Sequence, residues 1–307
     1  MTIQTYWQLD VAAQPARSEP SARPQAGMIF RDVRTRAINR YDYYAQIAQA
    51  AAQTAFDGLF LPHRPEADDS AIVAAVIARE VPRLTLIPEF PASIGSAVYA
   101  AKQAVSFQRA THDRLGWAIA PAADAEALDR TEEFLTVARG VHGTRPFSFS
   151  GTHFEVQGGG FEAPLNRVPF PRVFLHGESE EALALSARAA DVHLFGAAPV
   201  THLRSLIEGL DGLAAERGRS VAFGVIQSVL VREDHDEALH EAERAGVPAA
   251  TIVGDYDAVA ARLAELAGIG IGHFVLGAPA SLEEAYHVGQ HLLPRLRALT
   301  GRVCAAA

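Results

Sequence analysis

Apolar residues along this chain follow two spacings. Short, mostly apolar runs at residues 2–9, 58–61, 84–88, 115–119, 172–175, 192–195, 222–231 and 271–276 read as buried strands. Between them, apolar positions recur every three or four residues over 41–52, 72–79, 96–109, 125–138, 180–189, 201–216, 234–244, 256–267 and 281–297. That is the period of a helix with one face turned inward. In the helix over 125–138 the inward residues are expected to be Leu128, Phe134 and Leu135. Asp69 or Ser70 can cap the helix over 72–79. One stretch breaks the rhythm: residues 147–156, FSFSGTHFEV, alternate by two around Ser150-Gly151 and predict a small hairpin outside the main sheet. Residues 10–38 hold no steady period and read either as a surface loop or as an active-site cover.

About eight apolar strands separated by helices admit an open doubly wound sheet or a closed (β/α)8 barrel. A length of 307 residues suits the barrel, which takes roughly 250 residues plus insertions. No GxGxxG follows the first strand, which removes the simplest dinucleotide-binding case. The expected fold is therefore an α/β (β/α)8 TIM barrel, one domain over residues 1–300 with a tail at 301–307. Its clearest unit is 171–195: a strand, the loop His176-Gly177-Glu178-Ser179, a helix and a second strand. Ligands of such units gather at the strands' C-terminal ends, where free helix N–H groups also point.

Composition narrows the classes. A net charge of -9 with no basic stripe argues against a nucleic-acid partner. No apolar run reaches the roughly 20 residues of a membrane helix, and MTIQTYWQLD lacks a basic region followed by an apolar one, so a cytoplasmic location is expected. The single Cys304 leaves no internal disulfide and no cysteine metal cluster. The histidines are scattered without HExxH, and the pairs His235/His240 and His287/His291 do not make a metal site, so none is expected. A nucleophile elbow and a P-loop are also absent.

In a barrel, chemistry sits in the strand-to-helix loops. Here those loops supply His63, Arg64, Glu66, Asp68, Asp69, Glu89, Ser93, His176, Glu178 and Ser179. His63 follows a buried strand and is placed either as a general acid or base or as a solvent-facing residue. Glu89 emerges from the apolar LTLIP and either contacts a ligand or pairs with a basic neighbour. Ser179 is both a helix cap and a candidate phosphate ligand. Gly177 allows close approach of the backbone, whereas the Glu178 carboxylate would repel a dianion.

Three stretches together are similar to a known family. RYDYYAQIAQAAAQTAFDGLFLP from Arg40, PRVFLHGESEEALALSARAADVHLF from Pro171, and IVGDYDAVAARLAELAGIGIGHFVLGAPASLEEAYHVGQHLLPRLR from Ile252 resemble the bacterial-luciferase-like flavin monooxygenases, closest to the alkanesulfonate monooxygenase branch. The resemblance implies the (β/α)8 fold and reduced FMN supplied by a partner flavin reductase. It also implies oxygenation of a small organic substrate, and a homodimer or higher homo-oligomer. Carried onto this chain, His176, Gly177 and Ser179 would hold the FMN phosphate, Trp117 and Glu89 would line the pocket, and His63 would steer a proton.

The chain departs from the family pattern where charge should be. The Gly-Gly-Ser-Ser phosphate loop is His176-Gly177-Glu178-Ser179, and a cysteine after the second strand corresponds to about Ala67. FGIRLHVIVRE appears as FGVIQSVLVRE, which puts Ile226 in place of an arginine and Ser228 in place of a histidine. A tyrosine before the last helix is about Ala278, and a helical insertion with a further arginine is missing between Arg244 and Thr251. A sulfonate needs fixed positive charge, so the expected substrate is uncharged or apolar and not an alkanesulfonate. The alternative is a non-catalytic barrel, a structural or binding subunit that has lost flavin. A hydrolase or isomerase using Glu89 and His63 rests on loop position alone.

Overall fold

The computed structural model describes residues 3–11, 40–122, 124–278 and 281–305. The order begins β1 (Gln4–Gln8), α1 (Arg40–Gln53), β2 (Gly58–Leu61), α2 (Ser70–Glu80), β3 (Thr85–Phe90), α3 (Ala97–Thr111), β4 (Gly116–Ile119) and α4 (Ala125–Gly143). A hairpin of β5 (Phe147–Ser150) and β6 (Glu155–Gly159) follows, then β7 (Arg172–His176), α5 (Glu180–Ala189), β8 (Val192–Phe195) and α6 (Val200–Ala215). The chain continues through β9 (Ala222–Arg232), α7 (His235–Ala245), β10 (Ile252–Asp255), α8 (Tyr256–Gly268) and β11 (Ile271–Gly277). It ends in α9 (Ser281–His287), a π-helical turn (Val288–Leu292) and α10 (Leu293–Ala305).

Strands β1, β2, β3, β4, β7, β8, β9 and β11 pair in parallel and close on themselves through β8–β9, while β10 adds an outer strand to β9. This is the closed (β/α)8 barrel. Its strands are buried on both faces, so they read as continuous apolar runs. One face of each strand fills the lumen: Tyr6, Phe60, Ile87, Ala118, Phe174, Val192, Leu194 and Val275, with Ile226 packed against them. The other face, including Trp7, Leu59, Leu61, Leu86 and Phe90, packs under the helices.

Helix starts follow side-chain chemistry. Asp69, Ser96, Asp124, Ser179, Asp234 and Asp255 each accept a backbone N–H in the first turn of the helix that follows. For α2 the cap is Asp69, bonded to Ile72 N at 2.9 Å, and Ser70 opens the helix.

The hairpin stands apart in its own two-stranded sheet. It is tied to α4 by Glu133, which accepts from the N–H groups of Thr152 (2.7 Å), His153 (2.7 Å) and Phe154 (3.1 Å).

Some expectations shift. Phe134 and Leu135 are buried and Leu128 partly so, but α4 runs on to Gly143. β10 was not expected: IVGD is short and half polar, and it becomes a strand because β9 extends far enough to pair with it. The last helix continues to Ala305, so the tail expected at 301–307 is helical as far as it is described. Of the segment expected over 10–38, all but Asp10 and Val11 lies outside the described residues.

Candidate functional site at the C-terminal mouth of the barrel

Glu89 lies inside β3 rather than just past its end, and its side chain turns into the lumen, 7 % exposed. Its Oε2 accepts the backbone N–H of His63 at 2.7 Å, and Ser70 Oγ donates to its carbonyl at 2.5 Å. Its Oε1 is 2.6 Å from Nε2 of His176, which is itself 15 % exposed. The distance is that of a strong hydrogen bond, but the two atoms are out of line for one and have no other hydrogen-bond partner. The contact is therefore a close, imperfectly aligned acid–imidazole pair, open to realignment on a third group.

The barrel's register explains how two residues far apart in sequence meet. Glu89 sits beside Ala118 of β4, and Ala118 sits beside Phe174 of β7. His176 follows one inward position above Phe174. The inward position of β4 between the pair is only alanine, so the long side chains of β3 and β7 touch across it.

His176 leads directly into the loop to α5. Gly177 has φ +133°, and a Cβ there would come within 2.9 Å of the Ala182 side chain. Glycine is thus required by both conformation and space. Ser179 caps α5, its Oγ accepting from Ala182 N at 3.2 Å. The exposed Glu178 carboxylate lies against Gly196, where a Cβ would be 3.2 Å from its Oε1. The Glu181 carboxyl is held below the usual carboxylate range by its own backbone N–H and by the Ser179 hydroxyl. The backbone thus offers a helix N-terminus suited to an anion, while the exposed carboxylates of Glu178, Glu180 and Glu181 set three negative charges around it.

Of the expected site residues, Glu89, His176, Gly177 and Ser179 come together at this mouth. His63 joins them through its backbone, and its half-buried ring is not what holds Glu89. Trp117 does not line the lumen. It is 4 % exposed on the outward face of β4, with its ring packed at 5.3 Å from Phe90, 5.9 Å from Phe134 and 5.2 Å from Phe170. A strand buried on both faces shows no alternation, so GWAI carries no sign of which residues face inward.

Arg64, also at this end, is paired with Asp10 at 3.0 Å. Ile226 packs against the lumen cluster, and Ala278 is half buried against the core. Neither supplies the fixed charge that an anionic substrate group would need.

Two buried groups were not singled out from sequence. His193 is fully buried, with Nδ1 2.8 Å from Ser186 Oγ and Nε2 without a partner. Burial, reinforced by the nearby His176 charge, holds its pKa down at about 4. Arg232 at the end of β9 grips Glu284 of α9 with two bonds of 2.6 and 3.0 Å and also binds Glu241 of α7. Burial opposes the Arg232 charge, but the two glutamates raise its pKa further.

The fold is thus a (β/α)8 barrel with Glu89 and His176 paired at its C-terminal mouth, the usual place for an active site in such barrels. A family model described as luciferase-like monooxygenase matches residues 16–249, and the chain belongs to that family. Among solved structures it is similar to a riboflavin lyase with modified FMN and riboflavin, at 16% identity over 97% of this chain and 92% of that one, TM-score 0.79. It is also similar to the EDTA monooxygenase of Chelativorans sp. BNC1, at 18% identity over 97% and 94%, TM-score 0.79. A coenzyme F420-dependent tetrahydromethanopterin reductase from Methanopyrus kandleri matches at 13% identity over 96% and 100%, TM-score 0.74. No described helix is long and apolar enough to cross a membrane, and no described cluster of His, Cys, Asp or Glu could hold a metal.

Proposed function

We propose that the chain is an FMN-dependent oxidoreductase of the monooxygenase type that acts on a small uncharged or apolar substrate. The observation that carries this reading is the Glu89–His176 pair, set in the apolar lumen directly beside the Gly177–Ser179 helix start. The donors there fit a flavin phosphate by geometry: the N-terminal N–H groups of α5, the Ser179 hydroxyl and the close backbone at Gly177. Reduced FMN, when bound, would supply the electrons that activate oxygen.

The chain's own residues would do the rest. Phe60, Ile87, Phe174 and Leu194 fill the lumen and make a dry apolar floor beneath the pair. Glu89 Oε1 and His176 Nε2, 2.6 Å apart, would give and take a proton next to the reacting region. With Ile226 where an arginine would grip an anion, the walls select an uncharged substrate.

Glu178, Glu180 and Glu181 oppose the phosphate, so binding is expected to be weak. Weak binding suits a flavin that arrives reduced from a separate reductase and leaves again. The same three carboxylates are the one observation that favours the second reading, a barrel that has lost flavin.

Titration with oxidised and with reduced FMN, followed by flavin fluorescence or absorbance, separates the two. Saturable binding below about 100 μM, weakened in Ser179→Ala and tightened several-fold in Glu178→Gly, is expected. No binding of either form at that level would leave the non-catalytic reading. A parallel titration with coenzyme F420 tests whether a deazaflavin takes the place of FMN.

The homo-oligomer expectation enters here as well. Ile72 (54 %), Val76 (46 %), Ile94 (46 %) and Tyr99 (62 %) are large exposed apolar residues on α2, on α3 and in the loop before α3. We take this face to be the contact between two copies of the chain.

A further inference from the structure

The opposite end of the barrel holds a cavity that the proposed function does not use. It measures about 540 Å³ and is lined by Phe170, Arg172, Asp191, Ser220, Ala222 and His273. Arg172 and Ala222 open β7 and β9, and His273 lies near the start of β11, so the cavity is the N-terminal mouth. Its volume falls in the usual range of small-molecule sites, about 300–1,000 Å³.

Two acids at this end, Asp191 and Asp57, are already paired. Asp191 is 3.0 Å from Arg139 and also accepts from Val173 N at 2.8 Å. Asp57 is 3.1 Å from Arg297 and accepts from both Thr5 N and Thr5 Oγ1. The exposed Arg172 guanidinium, which lines the cavity, has no such partner among the described residues.

Behind it lies His273, 6 % exposed. Its Nδ1 is 3.0 Å from Tyr6 OH, and the two rings lie parallel with centroids 5.9 Å apart. Tyr6 is 2 % exposed and its hydroxyl has no other acceptor, so its proton must go to Nδ1, since a buried donor left unmade is costly. With Nδ1 accepting, the neutral imidazole carries its hydrogen on Nε2, which has no partner among the described residues. Burial keeps the Tyr6 hydroxyl protonated by raising its pKa. His273, held down at about 4 by burial and by the Arg172 charge, acts as a donor and not as a cation.

We propose that the N-terminal mouth is a second binding site, for a small organic anion bearing a carboxylate or phosphate group. The Arg172 fork would take the oxyanion, a geometry that guanidinium matches and an ammonium does not. His273 Nε2–H and the Ser220 hydroxyl would complete the donor set, and the Phe170 ring would offer an apolar wall. The site is separate from the flavin-side mouth and does not depend on the flavin reading.

The test titrates the full chain by calorimetry with benzoate and with inorganic phosphate, at constant ionic strength against a chloride control. Saturable binding of at least one probe at about 10 mM or below is expected. It should weaken at least tenfold in Arg172→Gln, whose exposed side chain leaves the fold intact, and in His273→Phe, while Ser179→Ala leaves it unchanged. The two probes distinguish a carboxylate site from a phosphate site. The proposal is overturned if neither probe binds saturably, if Arg172→Gln binds as well as the parent chain, or if binding is lost in Ser179→Ala instead.

Discussion

A carboxylate and an imidazole 2.6 Å apart inside an apolar barrel constrain one another, so changing either changes the other. Glu89→Gln keeps the shape and the His63 N–H acceptor but removes the basic site. With reduced flavin supplied, turnover is expected to fall by about 10²–10⁴-fold while flavin affinity stays within about twofold. Steady-state kinetics beside a flavin titration checks this, and full activity in the variant would remove Glu89 from the chemistry.

The buried His193 sets a different kind of limit. Its folded pKa of about 4 lies below the ordinary 6.5, so between those values the unfolded chain binds a proton that the fold refuses. Its contribution is complete above about pH 6.5 and is lost as pH falls towards 4, by roughly 3 kcal/mol at most. His193→Gln should lessen the slope of stability against pH across that window in urea unfolding, with the buried His273 supplying what slope remains. An unchanged slope would show that the imidazole is not the titrating group.

At the scale of elements, β9 outruns the barrel, and its end is anchored by ions. Arg232 and Glu284 are 8 % and 2 % exposed, and Glu241 closes the cluster from α7. Breaking such a pair leaves a buried charge without a partner and costs about 3–5 kcal/mol. Glu284→Ala should lower the unfolding free energy by about that amount. Arg232→Met combined with Glu284→Leu should cost less than Glu284→Ala alone, because no buried charge then remains at either position. Denaturant curves on the three chains decide it, and equal losses would refute the ionic account.

This is also the scale at which the sequence was most legible. The unit at 171–195 is observed as β7, α5 and β8, because a Gly-containing loop, a serine cap and an apolar stripe all point to the same local structure. β10 was not legible, because its only claim to be a strand is a partner supplied by the extension of β9.

For the whole molecule, the exposed apolar face on α2 and α3 makes assembly testable. Light scattering is expected to give at least twice the 32.8 kDa of one chain. Ile72→Glu with Val76→Glu should reduce it to a single copy with the far-ultraviolet circular dichroism unchanged, and a double variant that stays assembled would place the contact elsewhere.

By itself the sequence determined the alternation of strands and helices, the caps at Asp69 or Ser70 and at Ser179, and the list of ionisable residues at the strand ends. Those depend on period and on neighbours a few positions away. It named Glu89 and His176 but could not join them, and it placed Trp117 in a pocket that the ring does not enter. Only the tertiary structure decided these points. Parity in a strand buried on both faces, and contact across an intervening strand of small residues, are properties of register and closure and leave no local trace in the chain.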